Sequence, residues 1–106
     1  MRLSATFLAL ALLSQSASAD IVRTPDCTAK LTRANHLVEA ISKRTYVAPA
    51  PTGARLCEVL RTNLREMREA IGLMDACMTG RDRAENVGQM SESMGDIQHV
   101  ISRRCQ

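Results

Sequence analysis

Aromatic residues are almost absent from this chain of 106 residues, which has no Trp, one Tyr and one Phe. Any folded core must therefore be built from aliphatic side chains. The length allows a single small domain and excludes a multidomain enzyme. The sequence is 45% hydrophobic and 24% charged, which is not the composition of a disordered chain. A formal net charge of only +3, with almost no aromatic residues for base stacking, argues against a nucleic-acid-binding protein.

Motifs that carry catalysis or bind metals are also missing. The sequence contains no G-x-S-x-G, H-E-x-x-H or C-x-x-C-H pattern, and no close cysteine pair of the kind that zinc requires. The two histidines, His36 and His99, fall in different predicted helices. We therefore expect a protein that is not an enzyme and that carries no metal and no cofactor.

The one long hydrophobic run lies near the N-terminus, from Ala5 to Leu13, and is followed by the small residues Ala17-Ser18-Ala19. This layout predicts a signal peptide over residues 1–19. The run is shorter than the roughly 20 apolar residues that a membrane-spanning helix needs. We therefore expect no stable membrane anchor, and a folded domain over residues 20–106 that is periplasmic or secreted.

All four cysteines fall within that domain, at Cys27, Cys57, Cys77 and Cys105. An even number of cysteines in a short exported chain indicates two disulfide bonds. Such bonds are stable in an oxidising compartment, which agrees with export.

Apolar residues recur at helical spacing in three segments, at about residues 25–44, 54–79 and 82–105. Thr24 is the predicted N-cap of the first segment, and Pro25 suits its first position. The third is expected to begin with Asp82 as N-cap and Glu85 completing a capping box, after Gly80 has ended the second. The predicted inward residues of the first segment are Cys27, Leu31, Ala34, Val38 and Ile41. Those of the second are Leu56, Leu60, Leu64, Met67, Ile71, Met74 and Met78, with Val59, Ala70, Leu73 and Cys77 widening the stripe.

Between the first two segments, residues 45–53 form a linker, because Ala48-Pro49-Ala50-Pro51 does not support a continuous helix. This linker, with Tyr46 in it, is either a recognition loop or a spacer whose Tyr46 covers the end of the bundle.

Helix geometry selects one pairing among the three that four cysteines allow. A helix of twenty residues places Cys57 and Cys77 about 30 Å apart, whereas bridged Cα atoms lie within about 7 Å. In an up-down-up bundle, Cys27 meets Cys77, and Cys57 meets Cys105. Cys57 and Cys77 also lie about 160° apart around the helix, so they face different neighbours. The sequence therefore predicts an all-α, up-down-up three-helix bundle held by these two disulfides.

A polar face of the third segment carries Gly88, Glu92, Gly95 and His99 at spacings of four, three and four residues. A glycine inside a helix costs about 1 kcal/mol relative to alanine, so two on one face ask for an explanation. Either the glycines leave a shallow docking groove for another chain, or they allow helices of this bundle to approach closely, or the helix simply tolerates them.

The outer face of the second segment carries a basic stripe of Arg61, Arg65 and Arg68. An anionic partner is able to dock there. The alternative is a solvated face of mixed charge, since Glu58, Glu66 and Glu69 are interspersed with the arginines. Arg65 and Glu69, four residues apart, are also spaced for an ion pair within the helix.

Five methionines fall within the predicted domain, and they suggest either core packing or soft ligands for Cu(I). They are Met67, Met74, Met78, Met90 and Met94.

Taken together, these features predict an exported, non-enzymatic binding or accessory protein that docks on another exported or envelope protein. The alternative is a small periplasmic Cu(I) carrier that uses methionine thioethers. The predicted partner-binding residues are those of the polar face and the basic stripe: Gly88, Glu92, Gly95, His99, Arg61, Arg65 and Arg68.

Overall fold

The structure, a computed structural model, describes residues 20–105. The signal peptide predicted for residues 1–19 lies outside that range. Within it the chain forms three α-helices, which we name α1 (Pro25–Thr45), α2 (Gly53–Cys77) and α3 (Gly80–Arg104). Their ends differ from the predicted ones by at most two residues. None of these helices has the length and hydropathy that a membrane span requires.

Two disulfide bonds join the helices in the predicted pairing. Cys27 at the start of α1 is bonded to Cys77 at the end of α2, with Cα atoms 5.3 Å apart. Cys57 near the start of α2 is bonded to Cys105 just after α3, with Cα atoms 5.7 Å apart. The prediction of an all-α, disulfide-linked helical bundle is confirmed.

The start of α1 follows the predicted capping pattern. The backbone N–H of Cys27 donates to Thr24 Oγ1 at 3.1 Å, and Pro25 occupies the first helical position. The first turn of a helix leaves its backbone N–H groups without partners inside the helix. Thr24 accepts from one of these groups, and Pro25 has no N–H to satisfy. The start of α1 is therefore encoded locally in the sequence.

The start of α3 differs from the prediction. Thr79 is the N-cap residue, so Asp82 lies inside the first turn and forms no capping box with Glu85. α2 already ends at Cys77, and Gly80 begins α3 at φ +58°. The N-terminal segment explains the shift, because the Thr79 N–H donates to the Asp20 carbonyl at 2.8 Å and fixes this turn.

The core lies between α1 and α2, where Ala34, Leu37, Ala70 and Met74 form a buried cluster. One predicted inward residue is misplaced: Val38 is 39% exposed, whereas Leu37 is 7% exposed. The physical reason is that α1 packs against a single neighbour, which makes its buried stripe narrow.

A polar cluster fixes the end of α1 to α2. Asn63 is 2% exposed, and its Oδ1 accepts a hydrogen bond from Arg44 Nη1 at 2.5 Å. Its Nδ2 donates to Thr45 Oγ1 at 3.3 Å. Arg44 also forms an ion pair with Glu66. These contacts satisfy a buried amide that sequence periodicity had not singled out.

The three helices form an open arrangement, because the backbone of α2 lies close to those of both α1 and α3, while the backbones of α1 and α3 stay further apart. Val87 and Met90 of α3 pack against the cluster formed by α1 and α2. No Cα atom of α1 lies within 8 Å of one in α3. Among its described residues, α3 has no fully buried side chain. Cys57 and Cys77 lie about 160° apart around α2, so their disulfides hold α3 and α1 near opposite sides of it.

Candidate functional site

The basic stripe predicted on α2 is exposed to solvent at Arg61, Arg65 and Arg68. Arg61 Nη2 donates to the Cys105 carbonyl at 2.9 Å, which ties that side chain to the end of α3. Arg65 and Arg68 form no ion pair with any residue between 20 and 105. Their guanidinium groups are therefore open to a partner.

Two of the carboxylates near this stripe are engaged with α1, whereas Glu58, three residues before Arg61, is exposed. Glu66 pairs with Arg44, and Glu69 Oε2 lies 2.9 Å from Arg33 Nε. The ion pair between Arg65 and Glu69 that the mixed-charge alternative included is not formed, because Glu69 pairs with Arg33. Within the part of the chain that the structure describes, Arg65 is therefore not neutralised by an ion pair with Glu69.

The polar face of α3 is also open. An ideal Cβ at Gly88 or Gly95 meets no atom within 4 Å, and Glu92 is exposed. His99 is exposed too, with its Nε2 3.5 Å from an Arg103 guanidinium nitrogen. The alternative that these glycines allow close approach between helices of this bundle is therefore wrong. Docking of another chain and simple tolerance of glycine stay open.

The basic stripe and the polar face belong to different helices. Within residues 20–105, no hydrogen bond or ion pair described for the protein connects Arg61, Arg65 or Arg68 to the polar face of α3. They are therefore two separate surfaces, and both are exposed to solvent.

A third surface is one that the sequence did not suggest: an apolar trough between α1 and α3, with α2 as its floor. It consists of two cavities of about 450 and about 410 Å³, which share Val38, Met90 and Ser93 in their walls. The first is otherwise lined by Ile21, Leu31, Ala34, Asn35, Met74, Met78, Asn86 and Gln89. The second is otherwise lined by Ile41, Ser42, Thr45, Tyr46, Met67, Asp96 and Ile97.

Four of the five methionines line this trough. Met67 and Met74 are 7% and 5% exposed and form part of its floor, which agrees with core packing. Met78 and Met90 are half-buried. No group of His, Cys, Asp or Glu suited to holding a metal ion occurs in the part of the chain that the structure describes.

Tyr46, in the linker between α1 and α2, does not cover the end of the bundle. Tyr46 is 83% exposed, so the interpretation of this residue as a lid over the bundle end is wrong. The prolines and alanines of the linker instead line a separate cavity of about 480 Å³, together with Lys43, Arg44 and Arg55.

Comparisons with known proteins add no function to these surfaces. No family model matches the chain, and neither the curated proteins nor the solved structures compared with it give a match. The function is therefore argued from the exposed chemistry of this chain.

Proposed function

We propose that this protein is an exported, non-enzymatic binding or accessory protein that docks on another exported or envelope protein. The observation that carries the proposal is the exposed stripe of Arg61, Arg65 and Arg68, beside which Glu66 and Glu69 pair with α1. Exposed guanidinium groups on one helix, of which those of Arg65 and Arg68 form no ion pair within residues 20–105, favour an acidic protein surface, because complementary charge steers association and selects the partner.

Export is supported by the disulfides and by the N-terminal pattern. Disulfide bonds persist in oxidising compartments such as the bacterial periplasm or the extracellular space. The apolar run with its small-residue end, over residues 1–19, has the layout of a signal peptide. A partner that meets this protein is therefore expected in the envelope or outside the cell.

The polar face of α3 is the second contact that we assign to the partner. Gly88 and Gly95 leave the helix backbone uncovered, so another chain is able to approach it closely. Glu92 and His99 flank this strip and offer an acceptor and a ring nitrogen.

Affinity capture from the native envelope fraction tests the proposal. The oxidised protein is compared with a variant in which Arg61, Arg65 and Arg68 are replaced by Gln. A charge-matched control replaces Lys43, Arg55 and Arg81 by Gln, since these three are also exposed. We expect a stoichiometric protein with the wild type and the control, and its loss with the stripe variant. Equal capture by all three forms, or no stoichiometric protein, contradicts the proposal.

One observation favours the second candidate, a Cu(I) carrier: Met74, Met78 and Met90 line the same cavity. Thioethers are soft ligands that suit Cu(I). Titration of the oxidised protein with Cu(I), against a variant carrying Met78→Leu and Met90→Leu, tests it. Binding at micromolar metal that the double variant loses and Met94→Leu keeps supports a carrier, and absence of binding excludes it.

A further inference from the structure

We infer that the disulfide between Cys57 and Cys105 is a site of thiol–disulfide exchange with an external dithiol, whereas the disulfide between Cys27 and Cys77 is a permanent structural crosslink. We call the first the accessible disulfide and the second the buried disulfide. Three features support this difference: the burial of the two bonds, the charge beside the accessible one, and the way α3 is attached to α2. This reactivity is a property of one bond and does not depend on the proposed docking function.

The two disulfides differ in their access to solvent. Cys27 and Cys77 are 6% and 0% exposed, so an external thiolate does not reach their sulfur atoms while the fold is intact. Cys57 and Cys105 are half-buried, and both line a surface cavity of about 640 Å³. A thiolate has to approach a disulfide sulfur directly in order to displace the other sulfur. The accessible disulfide is therefore the one that an external thiolate reaches.

The N-terminal segment lies beside the buried disulfide. The Val22 N–H donates to the Cys77 carbonyl at 2.9 Å, and Ile21 forms an antiparallel bridge with Met78. These contacts hold residues 20–22 against the end of α2 that carries Cys77. At the other end of α2, a cavity adjoins the accessible disulfide instead. The other residues of its wall are Gly53, Ala54, Leu56, Arg61 and Arg104.

The charged residues that line this cavity are both cationic: Arg61 and Arg104. Arg61 Nη2 donates to the Cys105 carbonyl at 2.9 Å, which holds its guanidinium group beside the accessible disulfide. Glu58 follows Cys57 in the sequence, but it does not line the cavity, and it takes part in none of the ion pairs of residues 20–105. Exchange brings one thiolate to the disulfide and releases another, and neighbouring cations favour thiolates. The cavity therefore suits the negative charge that the reaction places in it.

The dithiol alone balances the reaction. One of its thiolates attacks a sulfur of the accessible disulfide, so that a mixed disulfide forms and the other protein sulfur leaves as a thiolate, which takes up a proton from water. The second thiol of the dithiol loses its proton and attacks the mixed disulfide, which releases the second protein sulfur as a thiolate that is protonated in turn. The protein gains two electrons and two protons, and the dithiol is oxidised to a disulfide.

Opening the accessible disulfide is expected to loosen the end of α3. Among the described residues α3 has no fully buried side chain, and Val87 and Met90, in its first half, pack against the core cluster. Its last turns carry half-buried apolar residues and are joined to α2 by the accessible disulfide and by the hydrogen bond from Arg61 to the Cys105 carbonyl. Reduction of this bond therefore frees the last turns of α3, while the buried disulfide continues to hold α1 to α2.

Mapping of thiols during mild reduction tests the inference. The oxidised protein is treated with dithiothreitol in the absence of denaturant, quenched with acid and alkylated, and mass spectrometry of its peptides gives the reduced fraction of each cysteine. We expect the initial rate at Cys57 and Cys105 to be at least about tenfold higher than at Cys27 and Cys77. Equal rates for the two pairs, or faster reduction of the buried disulfide, overturn the inference.

A low concentration of urea distinguishes direct attack from reduction through global unfolding. If unfolding comes first, about 1 M urea raises the rate about fivefold or more, because urea lowers the free energy of unfolding. For direct attack on the accessible disulfide, we expect the rate to change by less than about twofold. An increase of about fivefold or more at this bond overturns the inference.

Two pairs of variants test whether the cavity is the path of attack. Ala54→Glu places a carboxylate in the cavity wall, whereas Ala84→Glu places one at an exposed position of α3 that does not line the cavity. Arg104→Gln removes a cation from the wall, whereas Arg103→Gln removes one from outside it. We expect the first variant of each pair to slow reduction of the accessible disulfide by about threefold, the order of a single exposed charge interaction, and the second to change it less than about 1.5-fold. Unchanged circular dichroism shows that the variants fold, and equal rates within either pair overturn the inference.

Two further measurements identify the source of the dithiol and the effect on α3. At equal dithiol concentration, a protein with a Cys-x-x-Cys dithiol that reacts faster than dithiothreitol supports exchange with an enzyme, and a slower one supports exchange with a small dithiol. After reduction of the accessible disulfide, amide hydrogen exchange is expected to accelerate in the last turns of α3 and not in α1; unchanged protection of α3 contradicts its release. These measurements follow bond chemistry and not partner capture, so failure of the proposed function and failure of this inference are separable.

Discussion

Arg33 of α1 and Glu69 of α2 form an ion pair across the interface between these helices, with Arg33 Nε 2.9 Å from Glu69 Oε2. Glu69 also stands four residues after Arg65 within its own helix, at the spacing of an intrahelical pair. In the structure, the Glu69 carboxylate instead pairs with Arg33 of the neighbouring helix. Arg65 is therefore left open on the outer face of α2, and the charge of that face follows from how α1 packs.

Reduction of the disulfides is predicted to leave the protein largely unfolded. The bonds close loops of 50 and 48 residues, each worth up to about 4 kcal/mol in the chain-entropy account. A small core without aromatic side chains has little apolar area to replace that contribution. Circular dichroism melts with and without reductant measure the difference, and an unchanged Tm contradicts the prediction.

The two disulfides are predicted to protect different parts of the fold. Replacing Cys57 and Cys105 by Ala is expected to speed amide hydrogen exchange in α3 while α1 stays protected, because α3 has no fully buried side chain and α1 contributes Ala34, Leu37 and Ile41. Replacing Cys27 and Cys77 instead is the matched comparison, in which α3 keeps its link to α2. Equal acceleration along all three helices by the first variant is the result that contradicts this prediction.

Glycine substitutions are predicted to change stability in opposite directions. Gly88→Ala and Gly95→Ala are each expected to raise the free energy of unfolding by about 0.5–1 kcal/mol, since both sites are helical and open. Gly80→Ala is expected to lower it, because Gly80 has φ +58° and a Cβ there lies 3.0 Å from Asp20 Oδ1. Urea unfolding of the oxidised protein measures all three.

The same glycine variants also distinguish the two remaining explanations of the polar face. If another chain docks there, Gly88→Ala and Gly95→Ala weaken capture of the partner while they stabilise the fold. Stabilised variants that retain full capture indicate glycines that the helix merely tolerates.

Asn63→Ala is predicted to lower the free energy of unfolding by about 1–3 kcal/mol. The substitution removes the acceptor of Arg44 and the donor to Thr45 in a buried position, and it leaves a small cavity. Asn35→Ala, at an exposed amide on α1, is the control and is expected to change stability by less than about 0.5 kcal/mol. Equal effects of the two variants in urea unfolding contradict the assigned role of Asn63.

The positions of the helices were predictable because their signals are local. Apolar spacing of three and four residues, the Thr24-Pro25 start and the proline-rich linker each act within a few residues along the chain. The turn before α3 was misjudged, since it depends on the backbone pairing of Asp20 with Thr79, which are distant in the sequence.

The open trough was not predicted, although its cause was visible. The angle of about 160° between Cys57 and Cys77 already places the two neighbours of α2 on nearly opposite sides. In a three-helix bundle in which every helix contacts the other two, the first and third helices must lie on adjacent sides of the second. Val38 was predicted to face inward, and it is instead exposed on the wall of the trough.

By itself, the sequence determined three helices and the pairing of the four cysteines. These follow from periodicity and from the fixed rise of an α-helix, which limits where each cysteine lies. Only the tertiary structure decided that Glu66 and Glu69 pair with α1, that Gly88 and Gly95 face open space, and that α1 and α3 stand apart. Such choices depend on distances between segments far apart in the chain, which no local pattern encodes.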